Sequence, residues 1–417
     1  MFTRRPGSLL RRPLGRRFAA TGVAAVLLAV GAGLAGCSSS DPASVAACAS
    51  PGVDDHQISL GVLYPDSGPV AGIYAAARAG IDARLGAANA AGGVHGRRIT
   101  YQWRDDQGVP LPNGIGAREL VEQRGVFGLI ELSVAAAGSA AYLTQRGVPV
   151  TGMASDDIWT RAPNMFAATT STGAAVDTQG QFVQERGGRR AVILQTALSP
   201  AQSSAAESYA RSLVAAGVQV LGTVTYTSGV DDPALVARRI AATRADTVVG
   251  VIEPHDLVDV VDALRGGGYN PKVVLSANGY DHDLLQTYGP RMAGIAVPVF
   301  YRPFELGGPG INAYVTAMHR FAPQVTQPEQ DIAVAAYIST DIFLRGLDLA
   351  GACPTRARFI EALRGVNSYD ADGLINTISF RVGPARPTTC YSFVQANTTG
   401  SGFVVVEPNL CGHLLNP

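Results

Sequence analysis

The segment ISLGVL at residues 58–63 predicts a short β-strand, because it is a mainly apolar run bounded by turn-forming residues. The sequence PDSGP at residues 65–69 ends this strand. Apolar residues at helical spacing then predict a helix over residues 72–91, which Gly92-Gly93 terminates, and residues 99–104 alternate as a second strand. A strand, a helix and a second strand in this order are typical of a parallel sheet with helices packed on it.

The same alternation continues along the chain. Further strands are predicted at residues 126–130, 148–151, 191–195, 218–225, 247–252 and 272–275. Helices are predicted between them at residues 117–124, 135–145, 204–216, 233–243 and 257–265. After residue 300 the pattern changes to long helices at 311–321 and 332–349 and to short strands at 377–380, 391–394 and 403–406. Two runs of apolar strands and amphipathic helices predict an α/β fold with two doubly wound parallel-sheet lobes.

In open parallel sheets, ligands bind beyond the carboxyl ends of the strands. Several of the predicted strand ends are followed by turns rich in Ser, Gly or Asp, whose free N–H groups and short polar side chains suit an anion or a zwitterion. These residue types are also expected in ordinary turns, so each loop alone has both interpretations. The loops concerned are residues 64–68, 131–135, 152–157, 195–199, 253–255 and 277–281.

The amino terminus has the pattern of an export signal. Residues 1–36 contain six arginines and no acid, and residues 18–36 form an apolar run, which predicts a secretory signal peptide. The run ends in Leu34-Ala35-Gly36-Cys37, which resembles the bacterial lipobox and implies a diacylglycerol on the sulfur of Cys37. The alternative is an ordinary signal peptide with an incidental cysteine. Residues 37–53, rich in Ser, Ala and Pro, are predicted to tether the folded body to the outer face of the bacterial cell membrane.

Composition excludes several classes of protein. The chain has 417 residues, of which 47% are hydrophobic and 16% charged, so a buried core is expected rather than disorder. The formal net charge is zero, and removal of the leader leaves 27 basic and 33 acidic residues, which argues against nucleic-acid binding. The sequence contains neither a metal-ligand spacing nor a P-loop, dinucleotide or nucleophile-elbow motif, so we expect no cofactor, no metal and no catalysis.

Four cysteines follow Cys37, and an even number in an exported protein predicts two disulfides with three possible connectivities. The candidates are Cys48, Cys353, Cys390 and Cys411. We favour the pairs Cys353–Cys390 and Cys48–Cys411.

Several segments together resemble a known family. Residues 58–63 and 67–71 (SGPVA), residues 89–97 (NAAGGVHGR), residues 105–108 (DDQG), residues 147–150 (GVPV) and residues 267–271 (GGYNP) are similar to matching segments of the branched-chain amino-acid-binding proteins. These are type I periplasmic-type substrate-binding proteins of ABC importers. The resemblance extends, in order, over about residues 56 to 395.

The resemblance implies two lobes joined by three crossovers. Residues 54–172 and 299–384 are then lobe 1, and residues 173–298 and 385–417 are lobe 2. The crossovers fall near residues 171–174, 297–300 and 381–389. A solute binds between the lobes, and a hinge closes over it.

The resemblance also implies site residues. In amino-acid-binding relatives, lobe 1 holds the ligand carboxylate through hydroxyl and backbone N–H groups, which correspond here to Ser133, Ala154 and Ser155, with Asp156 if the register slips by one. Ser67 and Tyr74, in and after the first loop, are further candidates on this lobe. Tyr337 matches a tyrosine of a late helix, and core packing is its alternative role.

Lobe 2 departs from the family pattern. The position of the acid that binds the α-ammonium group of relatives falls near Asn278, which is neutral and puts an ordinary α-amino acid in doubt. Glu253, in a neighbouring loop, either replaces that acid or is the first-turn acid of the helix that follows.

These expectations predict a monomeric solute-binding lipoprotein of an ABC importer, working with a permease and an ATPase. Its solute is a small polar molecule: an amino acid, an amide or a related organic acid. Two alternatives remain open at this point, a surface lipoprotein that presents its solute to a receptor and a lipoprotein hydrolase.

Overall fold

A computed structural model describes residue 48 and residues 50–155, 157–170, 175–196, 200–381 and 387–415. The predicted signal peptide, Cys37 and most of the tether lie outside these residues, as do Asp156 and the crossover at residues 171–174. Within the described part of the chain, none of the helices is both long and apolar enough to cross a membrane.

Twelve strands form two sheets in the described residues. The five-stranded sheet has the order β2-β1-β3-β4-β5 and is parallel throughout, and the seven-stranded sheet has the order β12-β11-β10-β9-β8-β6-β7. In the second sheet only β11 and β12 run antiparallel to their neighbours. The strands are β1 (Gln57–Tyr64), β2 (Arg98–Asp105), β3 (Leu129–Glu131), β4 (Val150–Ala154), β5 (Met165–Thr170), β6 (Arg190–Gln195), β7 (Gln219–Thr225), β8 (Thr247–Val251), β9 (Val273–Ser276), β10 (Ile295–Val299), β11 (Cys390–Ala396) and β12 (Phe403–Cys411). Two mainly parallel sheets confirm the predicted α/β class.

Twelve α-helices cover the faces of these sheets in the part of the chain that the structure describes. They are α1 (Ala71–Tyr74), α2 (Ala77–Ala90), α3 (Pro110–Arg118), α4 (Ala140–Gln145), α5 (Thr178–Glu185), α6 (Pro200–Ala215), α7 (Pro233–Ala242), α8 (Pro254–Gly266), α9 (His282–Tyr288), α10 (Pro309–Phe321), α11 (Asp331–Ala350) and α12 (Arg356–Arg364). Short 3₁₀ turns and one π-helical turn at Glu119–Gln123 connect some of them.

Three element predictions need correction. The helix predicted at residues 72–91 is divided into α1 and α2, and the one predicted at 117–124 begins seven residues earlier, at Pro110, whose fixed φ suits the first turn of a helix. The strand predicted at residues 377–380 does not form: only Ile378 makes an isolated bridge there, to Tyr369. Alternation of polar and apolar residues over a short segment does not by itself supply a neighbouring strand to pair with.

Helix α2 packs closely against α11 where both lie on the five-stranded sheet. A Cβ placed on Gly80 would lie 2.0 Å from the backbone oxygen of Ala333, so no larger residue fits without separating the helices. Nearly every residue on the inner face of α11 is buried. The chain segment after β10 therefore returns to complete the core of the five-stranded sheet.

The disulfides join Cys48 to Cys353 and Cys390 to Cys411, so the pairing favoured from the sequence was wrong. Cys390 and Cys411 face each other across the antiparallel pair of β11 and β12, with Cα atoms 3.9 Å apart. The order of the cysteines along the sequence did not show that Cys390 and Cys411 lie opposite each other in paired strands. The Cys48–Cys353 disulfide joins the segment before β1 to the loop after α11.

Candidate functional site

A cavity of about 370 Å³ lies where the carboxyl ends of the two sheets meet. Its wall combines residues that follow β1 and β4 of the five-stranded sheet with residues that follow β8 and β9 of the seven-stranded sheet. Most of the wall is apolar, and the volume is in the range of small-molecule sites. This is the edge at which open parallel sheets bind ligands.

On the side of the five-stranded sheet, Tyr74, Ala154 and Ser155 line the cavity. Tyr74 is almost fully buried, and burial raises the pKa of its hydroxyl, which therefore stays protonated and able to donate a hydrogen bond. The Ser155 hydroxyl donates to the backbone oxygen of Ser133 at 2.7 Å, and the Ser155 N–H donates to the Met153 oxygen at 3.0 Å. Both Ser155 donors are thus used within the protein.

On the side of the seven-stranded sheet, Glu253 reaches across the cavity. It is the residue before α8, yet its side chain makes no capping bond to that helix. A Cβ placed on Gly72 of α1 would be 3.2 Å from the Glu253 Oε2 atom, so the carboxylate lies against the opposite wall. Its other oxygen, Oε1, is buried and has no hydrogen-bond partner among the described residues.

The electrostatic surroundings of Glu253 disfavour its charge. The side chain is only 9% exposed, and burial raises its pKa to about 7, with a further contribution from the negative charge of Asp256. The free protein therefore holds, near neutral pH, a carboxylate that a positively charged ligand group would stabilise.

Two further acids and the amide of Asn278 also belong to this wall. Asp331, the first residue of α11, lines the cavity, and burial raises its pKa to about 6, an effect that the Tyr301 hydroxyl opposes. Asp281 caps α9, accepting hydrogen bonds from the N–H groups of Asp283 and Leu284 at 2.8 and 3.1 Å. Asn278 also lines the cavity, and its buried Oδ1 atom lacks a partner within the described residues.

The structure brings together five of the nine residues predicted to bind ligand: Tyr74, Ala154, Ser155, Glu253 and Asn278. Three others lie away from the cavity wall. Ser67 is exposed and donates to Asp105, Ser133 is buried and accepts from the Ala135 N–H at 3.0 Å, and Tyr337 packs edge-on to Tyr314 with ring centroids 5.3 Å apart. The ninth, Asp156, lies outside the described residues.

Sequence reasoning missed several residues of the wall. Among them are Gln179, Phe300, Asp331 and Tyr391. Asp331 and Tyr391 come from segments far along the chain, and no local pattern places them beside β8 and β9. Asp281 belonged to a loop that the strand-end rule had selected, and aspartate is a residue type that favours the start of a helix, so its position was a usable signal.

The charges on the cavity wall are unbalanced. The described lining includes the acids Glu253, Asp281 and Asp331 and the imidazole of His255, but neither arginine nor lysine. The Nε2 atom of His255 lies 3.4 Å from the Asp256 carboxylate. The described residues contain no group of three or more His, Cys, Asp or Glu side chains that could hold a metal ion. The site can therefore bind a small molecule, and its polar groups favour a positive charge.

Comparisons with known proteins agree with this architecture. A family model described as "Periplasmic binding protein" matches residues 57–401. The Leu/Ile/Val-binding protein homolog 7 of Brucella abortus (strain 2308) is 24% identical over 316 residues, which are 70% of this chain and 77% of the relative.

Solved structures of similar fold extend over nearly the whole folded body. A branched chain amino acid ABC transporter from Thermus thermophilus with bound valine superposes with a TM-score of 0.75 at 16% identity, covering 85% of this chain and 97% of that one. A fatty acid ABC transporter substrate-binding protein from Thermomonospora curvata gives a TM-score of 0.74 at 19% identity, covering 86% and 94%. These matches confirm the type I periplasmic binding protein fold, and the family match confirms the prediction of a binding protein rather than an enzyme.

Proposed function

Because this chain belongs to the periplasmic binding protein family, we propose that it is the solute-binding component of an ABC importer, held outside the cell membrane by lipid on Cys37. The observation that carries the proposal is the cavity at the carboxyl ends of both sheets, with wall residues from each. A solute contacts both walls of such a site only when the two sheets are close together. Solute binding therefore favours the arrangement in which the sheets are close.

The coupling gives the binding cycle. A solute first meets one wall, and closure about the hinge adds the contacts of the other wall and expels water. The closed form is then favoured by the difference in affinity between the two arrangements. Micromolar affinity corresponds to about −8 kcal/mol, which a few charge-assisted hydrogen bonds and burial of an apolar body supply.

Partners follow from the same scheme. The permease of the importer recognises the closed protein, and the ATPase drives release and transport. One similar structure holds valine and another is a fatty acid ABC transporter substrate-binding protein, so the fold accepts solutes with apolar bodies, and the mainly apolar wall suits such a solute here.

A solute screen tests the binding role. The purified chain without its leader is mixed with amino acids, amides, amines, peptides and organic acids, and unfolding temperature and small-angle scattering are recorded. We expect at least one class of solute to raise the unfolding temperature saturably and to reduce the radius of gyration. A screen in which no class does either would refute the proposal.

A labelling experiment tests the anchor separately. We expect the full-length protein, expressed in a bacterium with lipoprotein processing, to incorporate radiolabelled fatty acid and to fractionate with membranes. The variant Cys37→Ser should do neither, while Cys48→Ser serves as a cysteine-removal control that keeps the label. Equal labelling of Cys37→Ser and the wild-type protein would refute the anchor.

A further inference from the structure

Among the residues that the structure describes, two acids on the cavity wall have no positively charged partner. Glu253 is nine-tenths buried, and its Oε1 atom has no hydrogen-bond partner among the described residues. Asp331 lines the same cavity from the start of α11. A buried carboxylate is costly unless it is paired, so this arrangement points to a counter-ion that arrives with the ligand.

Asp281, the third acid of the wall, stabilises the start of helix α9. The Asp281 carboxylate accepts two N–H groups at the start of α9. Asp256, behind Glu253, accepts a hydrogen bond from Ser228 at 3.3 Å and lies beside His255. Among the described acids of the wall, Glu253 and Asp331 are therefore the two whose carboxylates remain for a ligand.

Donors for a carboxylate are scarce on the opposite wall. The Ser155 hydroxyl and N–H both donate to backbone oxygens of the protein, and the Ser133 side chain does not reach the cavity wall. Within the described lining neither arginine nor lysine supplies a positive charge. The hydroxyl pair by which amino-acid-binding relatives are expected to hold a carboxylate is thus committed to internal hydrogen bonds.

The rest of the wall suits an apolar body. Ile73, Val134, Val251, Phe300 and Ile332 line the cavity together with small residues. Burial of an alkyl or aryl group there contributes about 25 cal/mol for each Å² removed from water.

We propose that the solute is an organic cation, an ammonium group on an apolar alkyl or aryl body without a carboxylate, and that Glu253 and Asp331 bind its charge. This inference rests on the proposed function. It departs from the α-amino acid that the family resemblance implies, because the cavity offers carboxylates for an ammonium group, whereas the Ser155 donors are used in internal hydrogen bonds and Ser133 lies away from the cavity wall.

A matched set of probes tests the class of solute. The set holds the apolar body constant and varies the charged groups: leucine, isopentylamine and 4-methylpentanoate, and likewise phenylalanine, 2-phenylethylamine and 3-phenylpropanoate. Dissociation constants are measured by titration calorimetry on the wild-type protein without its leader. We expect at least one amine to bind roughly tenfold or more tightly than its amino acid and its acid.

Variants test the residues. Glu253→Gln should weaken amine binding by roughly tenfold or more, and Asp331→Asn should weaken it in the same direction. Glu185→Gln removes the same charge from an exposed position on α5 and should leave the affinity unchanged. Unfolding temperatures of all variants confirm that each is folded before it is titrated.

The outcomes separate this inference from the proposed function. Tighter binding of an acid or an amino acid than of its amine, unchanged amine affinity in Glu253→Gln, or no binding of either amine at about 1 mM would overturn the organic-cation proposal. If another class in the broad screen then binds with closure, the transport proposal stands without it. If no class binds, both fail.

Discussion

Replacement of Glu253 by glutamine should stabilise the ligand-free protein in a way that depends on pH. Burial and the neighbouring Asp256 raise the pKa of the Glu253 carboxyl from its ordinary 4.5 to about 7 in the folded protein. The unfolded chain keeps the ordinary value. Between these two pKa values the folded protein holds a proton that the unfolded chain has lost, so the free energy of unfolding falls as the pH rises.

The magnitude follows from the size of the shift. Each pKa unit corresponds to about 1.4 kcal/mol, so the wild-type protein loses about 3 kcal/mol from this group between a pH below 4.5 and a pH above 7. Glutamine cannot ionise and does not incur this loss. The stability of Glu253→Gln relative to the wild-type protein should therefore increase by about 3 kcal/mol across that interval.

Urea unfolding at a series of pH values measures the effect. Subtracting the free energy of unfolding of the wild-type protein from that of the variant cancels the titration of groups that both proteins share. Reductant is omitted so that the disulfides stay intact. Tyr74 and Asp256 interact with Glu253. The Tyr74 hydroxyl stays protonated throughout the interval, and the negative charge of Asp256 raises the pKa of Glu253. The exposed substitution Glu185→Gln should give a flat difference.

A flat difference for Glu253→Gln between about pH 4.5 and pH 7 would refute the reasoning, because it would mean that the carboxylate is solvated or paired in the folded protein. A difference that grows with pH but disappears when a bound amine is present would instead link the stability effect to the ligand charge.

Three further predictions concern the disulfide framework, the helix packing and the cavity. Cys48→Ser should lower the free energy of unfolding by about 2–5 kcal/mol, measured by urea unfolding, and peptide mapping of the unreduced wild-type protein should recover Cys48 linked to Cys353. Gly80→Val should cost about 1–3 kcal/mol or more by the same measurement, because its side chain meets the backbone oxygen of Ala333; an unchanged midpoint would show that α2 and α11 are less tightly packed. Tyr74→Phe should weaken solute binding by about 0.5–1.5 kcal/mol in calorimetry with little change in stability, and equal affinity would show that the Tyr74 hydroxyl does not contact the solute.

The class of fold could be predicted from local patterns. Apolar strands such as residues 58–63 and 247–252 are bounded by turn residues, and each is found in the structure within a residue or two. Periodicity succeeds here because a strand buried in a parallel sheet must be apolar along its whole length. It failed at residues 377–380, where Phe380 is buried and Ile378 partly buried, and where Ile378 makes only an isolated bridge.

The candidate site could be predicted in part. The strand-end rule located Ser155, Glu253 and Asn278, because the position of a loop at the carboxyl end of a strand is a local property of the chain. It did not locate Asp331, which begins a helix more than seventy residues after Glu253 and reaches the cavity only because α11 returns to the first sheet.

The sequence by itself determined the alternation of strands and helices, the number of disulfides and the loops from which a site would be built, since each depends on residue type and short-range order. Only the tertiary structure decided which cysteines pair, that the Ser133 and Ser155 hydroxyls make internal hydrogen bonds, and that Glu253 lies buried against Gly72 with no positive partner among the described residues. The physical reason is that pairing, desolvation and charge balance depend on which surfaces meet, and here they meet between segments far apart in the chain.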